Sequence, residues 1–399
     1  MPTAFSRQRI LTFPVLVAFL LTAFKGGLQT LLDEFFEGIS GDCLRRVTKS
    51  ALSQARQKLK ASVFVDLNRR LLTRLEALRP PPRWRGLRLV AADSTTLRLP
   101  NWLENTEAFG LQWDSSGQFF VLARGLGLFA AASRLMLHAT LAPFATSERA
   151  LLVGLLQHLA PDDLLLLDRG FPAVWLFALF QQRGLPFLAR IDHCGWPEVV
   201  AFLRSGEPER VIHRPVSGHS RGKARHAGAE LSLTTVSFRL IRVVLPNGHI
   251  EVLATSLTDA ATYPAAEFCA LYHARWTIAE DFKVLKHRLM IEQFTGELPE
   301  SIRQDLYAKL LLANLANALA ESAHAHLPEP KAARYRPNLT YILNFLRSHL
   351  AAWLLVQCNS DLLLKALTLF SKTLELVRPG RSAPRSASRV NPRPRRAYK

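Results

Sequence analysis

Apolar and polar residues alternate in different ways along the chain, and the changes divide it into regions. Residues 1 to about 80 carry apolar positions at helical spacing, beginning with the apolar stretch at 10–24. Thr and Pro interrupt this stretch, which is also short for a membrane span, so we expect a buried helix that starts near Pro14. Three prolines at 79–86 then end the helical pattern and indicate a linker.

The region after the linker has the pattern of a sheet with helices packed on it. An apolar run that ends at Asp93 predicts a buried strand, and two more strands are predicted at 118–131 and 133–144. A short apolar run that stops at Asp168 predicts a further strand between two helices. This order of elements is typical of a mixed α/β sheet.

The pattern changes again from about residue 195. A basic stretch with glycines at 218–228 is predicted to be a loop, and Pro246-Asn247-Gly248 joins two alternating runs as a hairpin turn. Helical spacing resumes at about Tyr263. The Pro-, Ser- and Arg-rich residues 378–399 have little apolar content, so we expect a disordered basic tail.

Charge narrows the choice of partner. The chain has 51 Lys and Arg against 32 Asp and Glu, a net charge of +19. Such an excess attracts polyanions, with nucleic acid the first candidate and an anionic membrane surface the second, while a merely basic cytosolic protein remains an alternative. The four cysteines are far apart, which favours neither a zinc site nor a disulfide framework and indicates a reducing compartment.

Two carboxylates carry the candidate chemistry. Asp93 and Asp168 each follow an apolar run, where a charge is costly to bury unless it is paired. One such residue alone could be structural. Two on neighbouring strands repel each other and favour a divalent cation, for which oxygen ligands suggest Mg²⁺ or Mn²⁺. Beside a basic surface, this pair predicts metal-assisted phosphodiester chemistry, in which two metals roughly 4 Å apart can act.

A basic helix is predicted over 272–289. Arg275, Ala279, Lys283 and Lys286 are spaced by three and four residues, so they share one face of that helix. Basic side chains in this arrangement suit contacts to phosphates, although a solvated charged face is the common alternative.

These motifs together resemble those of DDE transposases of the insertion-sequence-four family. The two acids match in VAADSTT and LLLLDRGF, and Tyr272, Arg275 and Lys286 match the family's Tyr-x2-Arg-x3-Glu-x6-Lys signature. The stretches LTFP, SALSQAR and FTGELPESI are also similar, so the resemblance covers most of the chain apart from the tail.

The resemblance implies an α/β, ribonuclease-H-like mixed sheet with a β-rich insertion and helical regions at both ends. The expected segments are a helical DNA-binding domain at 1–85, a first part of the catalytic core at 86–195, the insertion at 196–262, a second part of the core at 263–330, C-terminal helices at 331–377 and the tail at 378–399. It also implies Mg²⁺ or Mn²⁺ at Asp93 and Asp168, and DNA contacts from Tyr272, Arg275 and Lys286, beside which the basic residues Arg169 and Lys283 are expected to contact phosphates. Independently of the resemblance, the N-terminal helical region has a basic face that either lies on DNA or is a solvated face of a bundle: Lys49, Arg56, Lys58 and Lys60.

The implied activity is cut-and-paste transposition of an insertion sequence. The expected partners are double-stranded DNA, both terminal inverted repeats and target, and a second copy of the chain in a dimer that holds two DNA ends. The implied location is the bacterial cytoplasm, on nucleoid DNA, with no membrane association.

One position departs from the family signature. Where the signature has its catalytic Glu, this chain has Ala279, and Glu280 follows one residue late. One residue turns a helix by about 100°, and a methyl group cannot bind a cation. Three interpretations remain: an inactivating substitution, a naturally decayed copy, or a distorted helix in which Glu280 reaches the metal. The alternatives to an active transposase are therefore a catalytically dead protein that still binds element ends and a nuclease without strand transfer.

Overall fold

The chain folds into two compact units in a computed structural model that describes residues 10–23, 26–41, 46–245, 248–275, 288–356 and 360–377. The first unit comprises Met1–Leu75, Arg98–Val121 and Val284–Lys399, and the second comprises Glu76–Leu97 and Leu122–Lys283. This division differs from the six expected segments, because Arg98–Val121 leaves the expected core and belongs to the helical unit.

The first unit is mainly helical. Its elements are α1 (Phe13–Thr22), α2 (Leu28–Ser40), α3 (Lys49–Arg56), α4 (Ser62–Leu78, of which the last three residues lie in the second unit), α5 (Leu103–Phe109), β2 (Leu111–Trp113), α11 (Pro299–His324), α12 (Glu329–Ala332), β10 (Tyr335–Pro337), α13 (Leu339–Leu355), α14 (Ser360–Lys372) and β11 (Leu374–Leu376). The apolar α1 packs against α11 and α13 and begins with a proline in its first turn, as predicted. Among the described residues, no helix combines the length and apolar run needed to cross a membrane.

The second unit contains the sheet. Its elements are β1 (Arg88–Leu99, whose last two residues lie in the first unit), β3 (Phe119–Ala130, from Leu122), β4 (Leu135–Pro143), α6 (Glu148–Leu155), β5 (Asp163–Leu167), α7 (Val174–Gln182), β6 (Phe187–Ile191), α8 (Pro197–Ser205), β7 (Glu209–Pro215), α9 (Gly218–His226), β8 (Thr235–Val244) and β9 (Ile250–Thr255). A further helix, α10, is described over residues 268–275.

Strand order confirms the predicted ribonuclease-H-like sheet. The order is β3-β1-β5-β6-β9-β8-β7, with β4 on the far side of β3 and the short β2 paired to the start of β3. β1, β5 and β6 are parallel neighbours, whereas β3 and β4 form an antiparallel pair. This combination brings the part of β1 just beyond its pairing with β5 and the carboxyl end of β5 to one edge of the parallel strands, where ligands bind in open α/β folds.

The expected β-rich insertion continues the same sheet. β9 pairs antiparallel with β6, and β8 and β7 follow it outward. The predicted hairpin is confirmed, since Val244 pairs with Ile250 on either side of the turn, although residues 246–247 lie outside the described residues. Backbone hydrogen bonding therefore joins this region directly to the central strands.

Apolar packing fixes the position of β5 and its neighbours. All of β5 is buried, and Trp175–Phe180 of α7 are buried against the sheet. The Phe177 ring stacks on Phe187 of β6, with ring centroids 4.2 Å apart. Burial of this continuous apolar surface is the main stabilising contribution to the region that carries Asp168.

Two local predictions were wrong. The strand β1 does not end at Asp93 but continues to Leu99. The basic stretch predicted as a loop forms helix α9, in which the Ser217 side chain caps the amide of Ser220 and Ala224 is buried. The glycines in that stretch suggested a loop, but the cap and the buried alanine outweigh their modest helix-destabilising effect.

Candidate functional site

Parallel pairing of β1 and β5 brings Asp93 and Asp168 to corresponding positions. The last residues paired between the two strands are Ala91 and Leu166. Asp93 lies two residues after Ala91, and Asp168 lies two residues after Leu166. Because side chains alternate along a strand, each aspartate is expected on the same face as that paired residue. The two carboxylates that the sequence singled out thus belong to one edge of one sheet.

The Asp93 carboxylate lies in an environment that disfavours its charge. Burial raises its pKa from 3.8 to about 6. The backbone amide of Ser94, which donates to Oδ1 at 2.9 Å, and the charge of Arg275 oppose this rise, while the negative charges of Asp168 and Glu148 add to it. Such a carboxylate is stabilised by any cation that enters the site.

Asp168 is held in a tight turn. Its Oδ1 accepts the backbone amide of Gly170 at 2.8 Å. Arg149 of α6 donates to the carbonyls of Phe171 and Pro172, both at 3.0 Å, which fixes the chain that leaves the turn. The Arg169 side chain, between Asp168 and Gly170 in the chain, is exposed, and its phosphate contact stays a prediction.

A third carboxylate, Glu148, lies beside this pair and was missed by the sequence reasoning. It is the first residue of α6, directly after the N-cap Ser147. Its Oε1 accepts the Ser94 hydroxyl at 2.6 Å, and the Arg124 guanidinium lies 3.7 Å from the same oxygen. The only signal in the sequence was an acid in the first turn of a predicted helix, which is common because it complements the helix dipole.

Space is left open between Glu148 and Asp168 at Gly170. A Cβ atom at Gly170 would lie 3.1 Å from Oδ1 of Asp168 and 3.5 Å from Oε2 of Glu148. The two oxygens are therefore separated by at most the sum of these distances, about 6.6 Å. Glycine keeps the volume next to both carboxylates free of side-chain atoms.

Tyr272 and Arg275 of α10 lie largely out of solvent. Tyr272 is 3% exposed, and burial raises its pKa to about 12. The Arg275 guanidinium carbon lies 5.5 Å from the centroid of the Tyr272 ring, in the range of a cation–π contact. Arg275 is 7% exposed, so both side chains are more enclosed than was expected for direct DNA contacts. The positive charge of Arg275 nevertheless acts on Asp93, whose pKa it lowers.

The rest of the family signature lies outside the described residues. These positions are Ala279, Glu280, Lys283 and Lys286. Their predicted roles remain expectations from the sequence.

Arg56 differs from the prediction. It was expected on a DNA-facing surface, but it is 4% exposed and lies inside the helical unit. Its guanidinium donates to Asp305 at 2.6 Å, to Gln304 at 2.5 Å and to Thr295 at 2.7 Å. A fully engaged, buried guanidinium is a structural group, so in this structure it is not available for DNA.

The donor set at the sheet edge fits a hard divalent cation. Carboxylate oxygens are the ligands that Mg²⁺ and Mn²⁺ prefer, and Gly170 leaves room beside them. Within the described ranges, the only group of three His, Cys, Asp or Glu side chains whose ligand atoms all lie within 4.8 Å of one another is Asp192, His193 and Cys194. The carboxylates of Asp93, Asp168 and Glu148 are therefore more widely spaced than that limit.

The comparison with known proteins agrees with this geometry. A family model described as Transposase DDE domain matches residues 84–315, a range that includes Asp93, Asp168, Tyr272 and Arg275. The chain belongs to this family of DDE transposases. The family expected from the motifs is thus confirmed, and the matched range includes every strand from β1 to β9.

Two individual proteins are similar to the chain. The transposase InsG for insertion sequence element IS4 of Escherichia coli (strain K12) is 27% identical over 283 residues, which are 67% of this chain and 60% of that protein. The match thus spans less than two thirds of the length of that relative. A piggyBac transposase, solved by cryo-EM in a synaptic complex with hairpin DNA, has a TM-score of 0.42 at 11% identity and covers 89% of this chain and 74% of that one.

Proposed function

We propose that this protein is a DNA transposase that cleaves and transfers the strands of an insertion sequence with a divalent cation. The observation that carries the proposal is the placement of Asp93 and Asp168 at matched positions on neighbouring parallel strands of a DDE-transposase sheet. Family membership makes a polynucleotidyl transferase the class of enzyme to expect. The cut-and-paste route follows from the family resemblance alone.

Asp93 and Asp168 would hold the cation, either Mg²⁺ or Mn²⁺. A bound divalent cation supplies electrophilic stabilisation of the charge that builds on the reacting phosphate and lowers the pKa of water. The carboxylate of Asp93 must lose its proton to serve as a ligand, and its pKa of about 6 allows this at neutral pH. Gly170 and Arg149 keep the turn after Asp168 in place, so the second carboxylate is oriented before the cation arrives.

Double-stranded DNA is the proposed partner, first as terminal inverted repeats and then as target. The net charge of +19 supports polyanion binding, and the exposed Arg169 stands next to Asp168. α9 adds a basic group at the outer part of the sheet region, with Lys223, Arg225 and His226 in its last turn. Two ends held together imply a homodimer, working on nucleoid DNA in the bacterial cytoplasm.

Restoring the missing acid tests the catalytic proposal. We expect the chain as written to give no Mg²⁺-dependent cleavage of end-containing DNA, and the Ala279→Glu variant to cleave it, because the signature position regains a carboxylate. The readout is nicked product on a denaturing gel. Ala266→Glu places the same charge at an exposed position and should leave cleavage absent.

Equal cleavage by both proteins would contradict position 279 as the missing ligand and would point to Glu280. Absence of cleavage in both, together with absence of DNA binding, would contradict the function itself.

The replacement of the signature Glu by Ala279 also favours a second candidate function. With Ala279 in the signature, the chain could act as a DNA-binding protein that recognises element ends without cutting them. Gel-shift binding to terminal repeats without Mg²⁺-dependent nicking supports this candidate, and nicking by the chain as written excludes it. Strand-transfer products in a plasmid assay separate a transposase from a nuclease.

A further inference from the structure

We propose that Glu148 is a third carboxylate ligand of the divalent cation, completing a set with Asp93 and Asp168 in a chain whose signature position is Ala279. The inference rests on the proposed function, since it concerns the same cation, and assigns a metal-binding role to a residue outside the family signature. It predicts metal binding, not cleavage. A cation held from the α6 side need not be placed against the scissile phosphate.

Glu148 is linked to Asp93 by hydrogen bonds through Ser94 and lies near Asp168 across the space at Gly170. Ser94, which follows Asp93, donates its amide to Asp93 at 2.9 Å and its hydroxyl to Glu148 at 2.6 Å. On the other side, the oxygens of Asp168 and Glu148 both border the space at Gly170. Glu148 therefore lies between the two aspartates, tied to Asp93 through Ser94 and sharing with Asp168 the space at Gly170.

Electrostatics indicates that this arrangement favours a cation. The oxygens of Asp168 and Glu148 lie at most about 6.6 Å apart at Gly170, and Ser94 ties Glu148 to Asp93, so three acidic side chains gather at the sheet edge. Two arginines offset part of this repulsion: Arg124, which forms an ion pair with Glu148 at 3.7 Å, and Arg275, whose charge acts on Asp93. A divalent cation removes the repulsion among all three at once.

Closing the set requires a rearrangement. The three carboxylates are spaced more widely than 4.8 Å as a group, so at least one must move to share an ion directly. Glu148 can move because its side chain has three torsions and is 33% exposed. Mg²⁺ also keeps several waters, so one of the three can bind through a water.

Metal binding without DNA is the direct test. Mn²⁺ is titrated into the full chain at pH 8, and free Mn²⁺ is measured by electron paramagnetic resonance. We expect Glu148→Gln to weaken Mn²⁺ binding by about tenfold or more, because the amide keeps the shape of the side chain but loses its charge. Asp93→Asn should weaken it further. Glu230→Gln, a substitution at an exposed position, is the matched control and should bind Mn²⁺ as the chain as written does.

A second measurement separates ligand loss from damage to the fold. The urea midpoint of Glu148→Gln in EDTA should stay close to that of the parent, while its increase on addition of Mn²⁺ should shrink. A lower midpoint in EDTA with parental Mn²⁺ affinity would assign Glu148 to the structure of the α6 start and overturn the proposal.

The outcomes distinguish this proposal from the function it rests on. Parental Mn²⁺ affinity in Glu148→Gln, with loss in Asp93→Asn, overturns the role of Glu148 and leaves the transposase site intact. Equal weakening in Glu148→Gln and Glu230→Gln attributes the effect to net charge and also overturns it. Parental affinity in all variants overturns both proposals.

Discussion

Each unit contains a cluster with a buried or half-buried acid, and the two clusters stabilise the acid to different degrees. We call them the closed cluster (Arg56, Thr295 and Asp305) and the open cluster (Asp93, Glu148 and Asp168). Asp305 of the helical unit is 2% exposed and accepts from the Arg56 guanidinium at 2.6 Å and from the amide and hydroxyl of Thr295 at 2.6 and 2.8 Å. Asp93 of the sheet unit accepts the amide of its own neighbour at 2.9 Å and is opposed by the charges of two further carboxylates. The first cluster pairs one acid with a cation in direct contact, whereas the second gathers three acids with Arg124 and Arg275 as nearby cations.

This difference separates a structural charge from a functional one. A buried acid with a cationic partner and a full set of donors contributes to the fold only, and breaking the set is costly. A half-buried acid that faces other acids destabilises the fold, and such sites persist where a ligand compensates. Removing an acid should therefore destabilise the closed cluster and stabilise the open cluster.

The largest effect is expected at the closed cluster. Asp305→Asn should lower the free energy of unfolding by about 3–5 kcal/mol, because it leaves the buried Arg56 charge without its counter-ion. Urea unfolding in EDTA measures it. Asp66→Asn removes an exposed ion pair with Arg69 in the same unit and should change stability by less than about 1 kcal/mol. Similar small changes in both variants would contradict the structural role of Asp305.

In the open cluster, removing a charge should increase the stability of the fold. Asp93→Asn should raise the free energy of unfolding at pH 8 in EDTA by about 1–2 kcal/mol, because it removes a charge that burial disfavours. The folded pKa of about 6 lies above the ordinary 3.8, so between these values the folded state binds more protons than the unfolded state. Stability of the parent therefore falls as pH rises through this window, and the advantage of the variant is complete only above pH 6.

The same unfolding measurements at pH 4, 5, 6 and 8 check the pH dependence. A stabilisation by Asn that is constant over this range would assign the effect to packing and not to the charge. A variant that is less stable at pH 8 would remove the contrast between the two clusters.

The smallest effect is expected at Gly170. In Gly170→Ala the new methyl would lie 3.1 Å from Asp168, so the carboxylate must shift by a few tenths of an ångström. We expect a stability change below about 1 kcal/mol but a few-fold weaker Mn²⁺ binding, because the cation site loses free volume. Gly154→Ala meets nothing within 4 Å in α6 and should leave Mn²⁺ affinity unchanged. Unchanged affinity in both variants would show that the space at Gly170 is not part of the site.

Periodicity predicted the sheet strands well. Strands expected at 118–131 and 133–144 are observed as β3 (Phe119–Ala130) and β4 (Leu135–Pro143), since alternation and turn residues are local signals. Local signals failed at 218–228, where glycines suggested a loop and the Ser217 cap produced a helix. The parallel strands that carry Asp93 and precede Asp168 were also predictable, because the residues before each aspartate are apolar, although β1 continues past Asp93 to Leu99.

The closed cluster could not have been predicted in the same way. Arg56 and Asp305 are separated by 249 residues, and the basic face of α3 looked like a DNA surface. The residues around an arginine in the sequence do not show whether its guanidinium binds a phosphate or a buried carboxylate. Glu148 was missed for the same reason, since its contact with Ser94 crosses 54 residues.

The sequence by itself determined the family, the strand-forming runs and the two aspartates, because motif spacing and hydrophobic periodicity are properties of neighbouring residues. It also determined that Ala279 stands where the signature has Glu. Only the tertiary structure decided which charges are paired and which are not. Pairing depends on distances between elements that are far apart in the chain, and those distances are set by the packing of the apolar core, not by any local pattern.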